Sequence, residues 1–302
     1  MRSSWRQRSR SFWLALGFTA LLVGCTKHAD DAAQSLPPCA RGGKVPVDRC
    51  LSAGDAQFTR RAEPGLLDAA IGTYLDALSL NREDPRVLAR LARAYATRAY
   101  ANPDTAAQDD ATARSMGLRC LLTDPDLQAT VTAAGGLLTN RGISALPFAM
   151  APCALWTALA WARSLAAAGV AGAAIDLRTV QLLAERAVAL DPAQERGLGE
   201  AVLGLVLALP PQPLHPDLDG AERHLRASIA SAPGRLTPAV DLAEWVLARR
   251  GDAVAWKTTL EQIANTPLEP TDPDLLENRR AVERAKTALA AGPVDPAAWW
   301  RP

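Results

Sequence analysis

The sequence holds little of what enzyme chemistry commonly requires. Its three histidines, His28, His215 and His224, are scattered over 302 residues, too few and too far apart for a His-rich metal site or a catalytic triad with a local signature. There is no C-x-x-C pair and no Cys/His cluster, which excludes the common zinc frameworks. No G-x-x-x-x-G-K-[ST] phosphate loop occurs, and Ser144, Ser164 and Ser231 sit in no nucleophile elbow. The expectation is a protein that is not an enzyme and takes neither metal nor cofactor. Aromatic residues make up only 5% of the chain, and its 49% hydrophobic content is carried mainly by Ala, Leu and Val, a bias toward helix over sheet. Lys+Arg 33 against Asp+Glu 32 leaves no basic surface excess, so a nucleic-acid partner is not expected.

The N-terminus has what the rest lacks. Arg2, Arg6, Arg8 and Arg10 precede an apolar run from Phe12 to Val23, too short for a membrane span and shaped like a secretion signal. The run ends in Leu22-Val23-Gly24-Cys25, which resembles the bacterial lipobox, where cleavage leaves a diacylglyceryl-modified cysteine as the new N-terminus. Residues 1–24 then read as signal peptide, with Cys25 carrying a covalent lipid. Several acyl chains, at roughly 0.8 kcal/mol per buried methylene, hold a protein on a bilayer. Thr26 after the anchor looks like the sorting pattern for the outer membrane of Gram-negative bacteria, with the domain facing the periplasm. Cleavage removes four positive charges and no negative ones, leaving a net charge of −3 on the mature chain. Residues 25–60, with Asp30-Asp31, Pro37-Pro38 and Gly42-Gly43 and no helical apolar stripe, read as a tether spanning roughly 30–35 Å as a coil.

Cys39, Cys50, Cys120 and Cys153 would lie in an oxidising compartment, and four cysteines admit three pairings. Cys39 with Cys50 and Cys120 with Cys153 is the favoured set. Cys120 and Cys153, flanked by apolar residues, read equally well as buried thiols.

From Pro64 onward, helix-length apolar periodicities alternate with Pro and Gly punctuation, so the fold class is all-α. The pairs Asp84-Pro85, Asp124-Pro125, Asp191-Pro192 and Asp272-Pro273 are candidate helix starts, Asp as cap and Pro at the first helical position. Gly169 and Gly172 mark a turn inside the neutral run from Ser164 to Ile175. Ala70-x-x-x-Tyr74-x-x-Ala77-Leu78-x-Leu80 has the second-helix spacing of a tetratricopeptide unit, and Leu88, Leu91, Ala92 and Tyr95 suit the next first helix. The code returns in Ala184 to Pro192 and in Ala221 to Pro233, followed by Leu242, Ala243 and Val246. Ala77, Ala187 and Ser228 are equivalent positions, yet their separations are not multiples of 34, so the repeats are degenerate. About four cryptic helical hairpins forming an α-solenoid or a closed helical bundle are expected over 61–292, with a C-terminal tail at 293–302.

Several phrases occur in an order that resembles the TatT family, the lipoprotein T component associated with TRAP transporters. They are Ala154-Leu155-Trp156-x-x-Leu159-Ala160-Trp161, Ala184 to Pro192, Gly204 through Leu209-Pro210-Pro211 with the helix Ala221 to Ile229, Val240 to Glu244, and Leu276-Glu277-Asn278-Arg279-Arg280-Ala281-x-x-x-Ala285. The resemblance covers about Leu66 to Leu289. It departs at 212–220, where the family's glycines are missing, and at Asp126 to Ala151. It implies a non-enzymatic lipoprotein that assembles as a homotrimer, encloses a ligand-sized cavity or channel and docks a periplasmic solute-binding protein of a TRAP system.

Trp156 and Trp161 are the candidate wall for a hydrophobic small molecule; packing in the core is the plainer role for both. Glu195, Glu200, Glu222 and Glu244 are expected on solvated faces. Arg249-Arg250 and Arg279-Arg280 are expected at solvated helix surfaces. The alternative to a solute-passing lipoprotein is a tetratricopeptide-type envelope assembly lipoprotein that binds proteins through a polar groove and handles no small molecule.

Overall fold

A computed structural model describes Cys39 and residues 46–168, 173–209 and 216–292. The signal peptide, Cys25, most of the tether, the turn at Gly169 and Gly172, His28, His215 and the tail from 293 lie outside the described residues. Those residues contain helices and no strand. They are α1 (Pro46–Thr59), α2 (Leu66–Leu80), α3 (Pro85–Ala101), α4 (Ala106–Leu121), α5 (Pro125–Ala133), α6 (Asn140–Ala145), α7 (Ala151–Ala168), α8 (Ala173–Leu190), α9 (Leu198–Ala208) and α10 (Leu218–Ser231). A continuous α11 follows as Thr237–Asp241, a π-helical stretch Leu242–Leu247 and Ala248–Arg250, then α12 (Ala253–Ala264) and α13 (Leu275–Ala291).

α1 corrects the reading of 25–60 as tether throughout. Cys50, Leu51, Gly54 and Phe58 are buried at helical spacing, a stripe of four small or isolated apolar groups that a hydrophobicity pattern barely registers. They pack on α2, with Tyr74 donating its hydroxyl to Asp55 at 2.7 Å and Arg90 of α3 gripping the same carboxylate at 2.8 and 2.9 Å.

Short connections make neighbours antiparallel, and α1/α2, α3/α4, α7/α8 and α9/α10 pack as hairpins, with α11/α12 completing the series. Ala77, Ala187 and Ser228 are buried, as a contact between paired helices requires. Close approach also demands glycine: a Cβ at Gly204 would lie 2.9 Å from the Ala221 carbonyl oxygen across the α9/α10 contact. α5 and α6 form a short insertion between the α3/α4 and α7/α8 hairpins.

Two of the four Asp-Pro pairs cap helices as expected. Asp84 accepts from Arg86 N at 2.9 Å and Asp124 from Leu127 N at 2.9 Å. Asp191 instead turns the chain after α8, accepting from Ala193 N, and Asp272 lies in the turn before α13, accepting from Asp274 N at 2.8 Å.

Two hydrophobic clusters carry the packing. One joins α3 through α9; the other joins α9 through α13, and Leu198, Leu207 and Trp245 touch both. α13 then packs back against α3. Arg61, just after α1, grips Glu277 at 2.8 and 3.0 Å, and Arg284 reaches the Tyr100 hydroxyl at 3.2 Å. The hairpins therefore close into a ring.

Candidate functional site

The ring surrounds a half-open cavity of about 550 Å³. Its apolar panel comes from α7 (Trp156, Leu159), α9 (Leu198, Val202, Leu205) and α11 (Trp245), with small alanines between. The π-helical stretch widens α11 there: Asp241 and Trp245 face the cavity while Leu242, Ala243, Val246 and Leu247 enter the second core. A second, outer cavity of about 1300 Å³ adjoins the first. Both include Phe58, Arg61, Arg93, Trp156, Glu195 and Pro273 in their walls, so these six residues form the partition between them.

The inner wall carries more charge than the sequence suggested. Seven arginines line it, at 61, 93, 163, 196, 235, 280 and 284, against five carboxylates. Most are paired. Arg93 lies over the Phe58 ring at 4.2 Å and meets Glu195 at 3.2 Å. Arg163 meets Asp110 at 2.8 Å and donates to the Ala96 carbonyl at 2.7 Å. Asp274, almost fully buried, receives Arg196 and, at 3.3 Å, Arg235. Arg284 bonds Asp241 at 2.9 Å and Glu244 at 2.5 Å. Burial pushes the carboxyls of Asp110 and Glu244 above the ordinary range despite the arginines beside them. The same desolvation raises the Tyr100 phenol.

Glu195 and Arg196 adopt positive φ, 47° and 56°, ahead of Gly197 at 78°. Left-handed backbone at two non-glycine residues is strained and persists only where surroundings hold it. Here Arg235 donates to the Glu195 carbonyl at 2.6 Å, and the Glu195 and Arg196 side chains are tied to Arg93 and Asp274. The Glu277-Asn278 phrase has a physical basis in the same corner. Asn278 is buried with its amide used fully, accepting from Leu236 N at 2.9 Å and donating to the Gly234 carbonyl at 2.8 Å and to Asp272 at 2.7 Å.

The two candidate tryptophans separate. Trp156 stands in the partition between the cavities. Trp161 is not among the residues lining either cavity; it belongs to the first core cluster, with Arg114 stacked 3.8 Å from its ring centroid and its indole N–H 3.3 Å from Asp176. The structure pairs Cys39 with Cys50 and Cys120 with Cys153, Cα atoms 4.9 and 5.6 Å apart.

The glutamates expected on solvated faces need correction: their side chains are only 20–24% exposed. Glu200 meets His224 at 2.6 Å, Glu222 meets Arg226 and Arg250, Glu195 meets Arg93 and Glu244 meets Arg284. Arg249 is likewise not solvated, lying over the Trp245 ring and reaching the Ala208 carbonyl, and Arg280 belongs to the cavity wall.

Among the described residues no group of three or more His, Cys, Asp or Glu is arranged to hold a metal, and no helix is long and apolar enough to cross a membrane. No curated protein matches the chain. A family model described as TRAP transporter T-component matches residues 86–292, from the start of α3 to the end of α13 and thus every helix from which the ring's two hydrophobic clusters are built, and the chain belongs to that family.

Proposed function

We propose that this chain is a lipid-anchored, non-enzymatic component of TRAP-type solute uptake that binds a periplasmic solute-binding protein and holds or passes a hydrophobic small molecule. The observation that carries the reading is the adjoining pair of cavities, with an apolar panel in the inner one and Trp156 in the partition. A pocket of about 550 Å³ is of the size that encloses a small organic ligand. In this reading Cys25 bears the lipid that fixes the chain to the outer membrane, the domain faces the periplasm, and three copies assemble.

Native mass spectrometry of the mature protein tests it. A trimer with a co-purified apolar molecule supports the reading; an empty monomer overturns the channel and trimer together. Crosslinking in cells tests docking separately, because recovery of no solute-binding protein overturns that part alone.

The arginine-rich wall favours a second reading, a protein-binding scaffold with no small-molecule role, since polar lining suits an extended peptide. Two features weigh against it. The arginines are largely engaged with carboxylates within the wall, and α13 packs back against α3, which shortens the groove available to an extended peptide.

A further inference from the structure

Between Leu127 and Ala162 the sequence has a single charge, Arg141, and no acid occurs from there until Asp176. Part of this neutral stretch is surface, not core. In the insertion after α5, Leu137 is 69% exposed and Phe148 67% exposed, and Gly135, Gly136, Ala145, Pro147 and Ala149 are exposed with them. Two large apolar side chains and five small or apolar residues are thus exposed within sixteen positions that carry no acid, the composition of a surface fit to be covered.

Contacts place the insertion at one edge of the ring. Asp48 near the start of α1 meets Arg86 at the start of α3, at 2.8 Å. Cys120, ending α4, is bonded to Cys153 at the start of α7 and lies 3.1 Å from the Pro85 carbonyl oxygen. The insertion links α4 to α7, so it belongs to this edge, and the Cys39–Cys50 bond holds Cys39 there too. Cys39 follows Cys25 by 14 residues, which reach at most about 50 Å even when fully extended. The outer cavity, walled here by Pro85, Arg86, Met150 and Pro152, lies at the same edge.

We infer that residues 134–149 form a membrane-contact element that seats this edge on the bilayer, with Leu137 and Phe148 in the lipid interface beside the outer cavity. The inference rests on the anchor at Cys25 proposed above. Interfacial elements of this kind bury apolar side chains roughly 5–10 Å deep. Arg141, the one charge of residues 134–149, suits the anionic headgroups there, and Asp48 at the same edge is already paired with Arg86.

The test uses the full lipoprotein in vesicles of phosphatidylethanolamine and phosphatidylglycerol, spin-labelled at Phe148→Cys or, as control, at Val254→Cys. Val254 is 79% exposed at the start of α12, outside the insertion. Accessibility to oxygen, which prefers lipid, is compared with accessibility to a water-soluble nickel chelate. The expected result is an oxygen-to-nickel ratio several-fold higher at 148 than at 254, reduced by Leu137→Asp in the same chain. Water-like ratios at both positions overturn the contact. So does shielding of 148 that appears only when the solute-binding protein is added, which would assign the patch to a protein partner. Intact mass of the same samples separates the two readings. Acylated Cys25 with a water-like 148 sinks the contact and leaves the anchor, whereas unacylated Cys25 with a lipid-like 148 sinks the anchor and leaves the contact.

Discussion

In the first part of the ring, α1 to α8, two disulfides tie residues 11 and 33 apart in sequence. The second part, α9 to α13, has no cysteine and is fastened instead by a knot of hydrogen bonds and ion pairs around Asn278 and Asp274. The two fastenings respond to different conditions. A disulfide acts largely by restricting the unfolded chain and is indifferent to mild changes of pH or salt. A buried polar knot acts only in the folded state, and only while each member keeps its partner. The knot also holds the strained Glu195–Arg196 segment and the charged partition of the cavities, so the half with the weaker covalent hold has the finer positioning task.

The largest expected effect pits the two tryptophans against each other. Trp161→Ala, emptying a core site in the first part, should cost about 3–5 kcal/mol in urea unfolding and leave retention of the co-purified molecule unchanged. Trp156→Ala should instead lose that molecule from the native mass spectrum; equal retention by both variants would remove Trp156 from the site. Next, Cys120→Ser with Cys153→Ser should lower stability by about 3–4 kcal/mol, the loop-entropy value for a closure of 33 residues. Hydrogen exchange should accelerate first in α4 and α7, and an equal acceleration in α11 and α13 would erase the division between the parts. Asn278→Ala, which orphans Leu236 N, the Gly234 carbonyl and Asp272, should cost about 2–3 kcal/mol and release protection at the Leu236 amide while α4 and α7 stay protected.

The smallest effects differ in sign. Arg86 beside Asp84 holds that carboxyl below its ordinary value, so its stabilisation is complete above that value and is lost as pH falls through the lower, folded one. Asp84→Ala should cost about 1 kcal/mol at neutral pH and less in acid, in line with the loss of a helix cap. Glu244 is raised by burial, so over the window between its ordinary and its higher folded value the native state binds more protons and stability falls as pH rises. Glu244→Gln should flatten that slope; a urea-midpoint profile above the ordinary carboxylate value that is the same in both proteins would contradict the assignment.

The helical class and most hairpins were legible because the apolar spacing, the caps Asp84 and Asp124, and the small residues Ala77, Ala187 and Ser228 are local signals. α1 was not, since its buried face is Cys50, Leu51, Gly54 and Phe58, and half of that is a bridged cysteine and a glycine. Asp191-Pro192 misled because a capping pair and a turn pair are written in the same letters; only Glu195 and Arg196, turned left-handed, show which it is. The arginine-carboxylate lining escaped for another reason. Arg93 with Glu195 and Arg163 with Asp110 are 102 and 53 residues apart, so no window along the chain brings them together. Two sequence traces of the site were Trp156, which stands in the partition, and the Leu276 to Ala285 phrase, whose Glu277 and Asn278 prove to be a ring contact and a knot.

The return of α13 to the beginning of the chain joins Arg61 to Glu277 and Tyr100 to Arg284, 216 and 184 residues apart. Most helical proteins build themselves from near neighbours and can mature as they emerge; this one cannot finish until its last helix exists. Each hairpin can form early, but an incomplete chain is an open arc, and the chamber comes into being only at the final step. A nascent chain truncated before α13 should therefore be helical yet hollow of function.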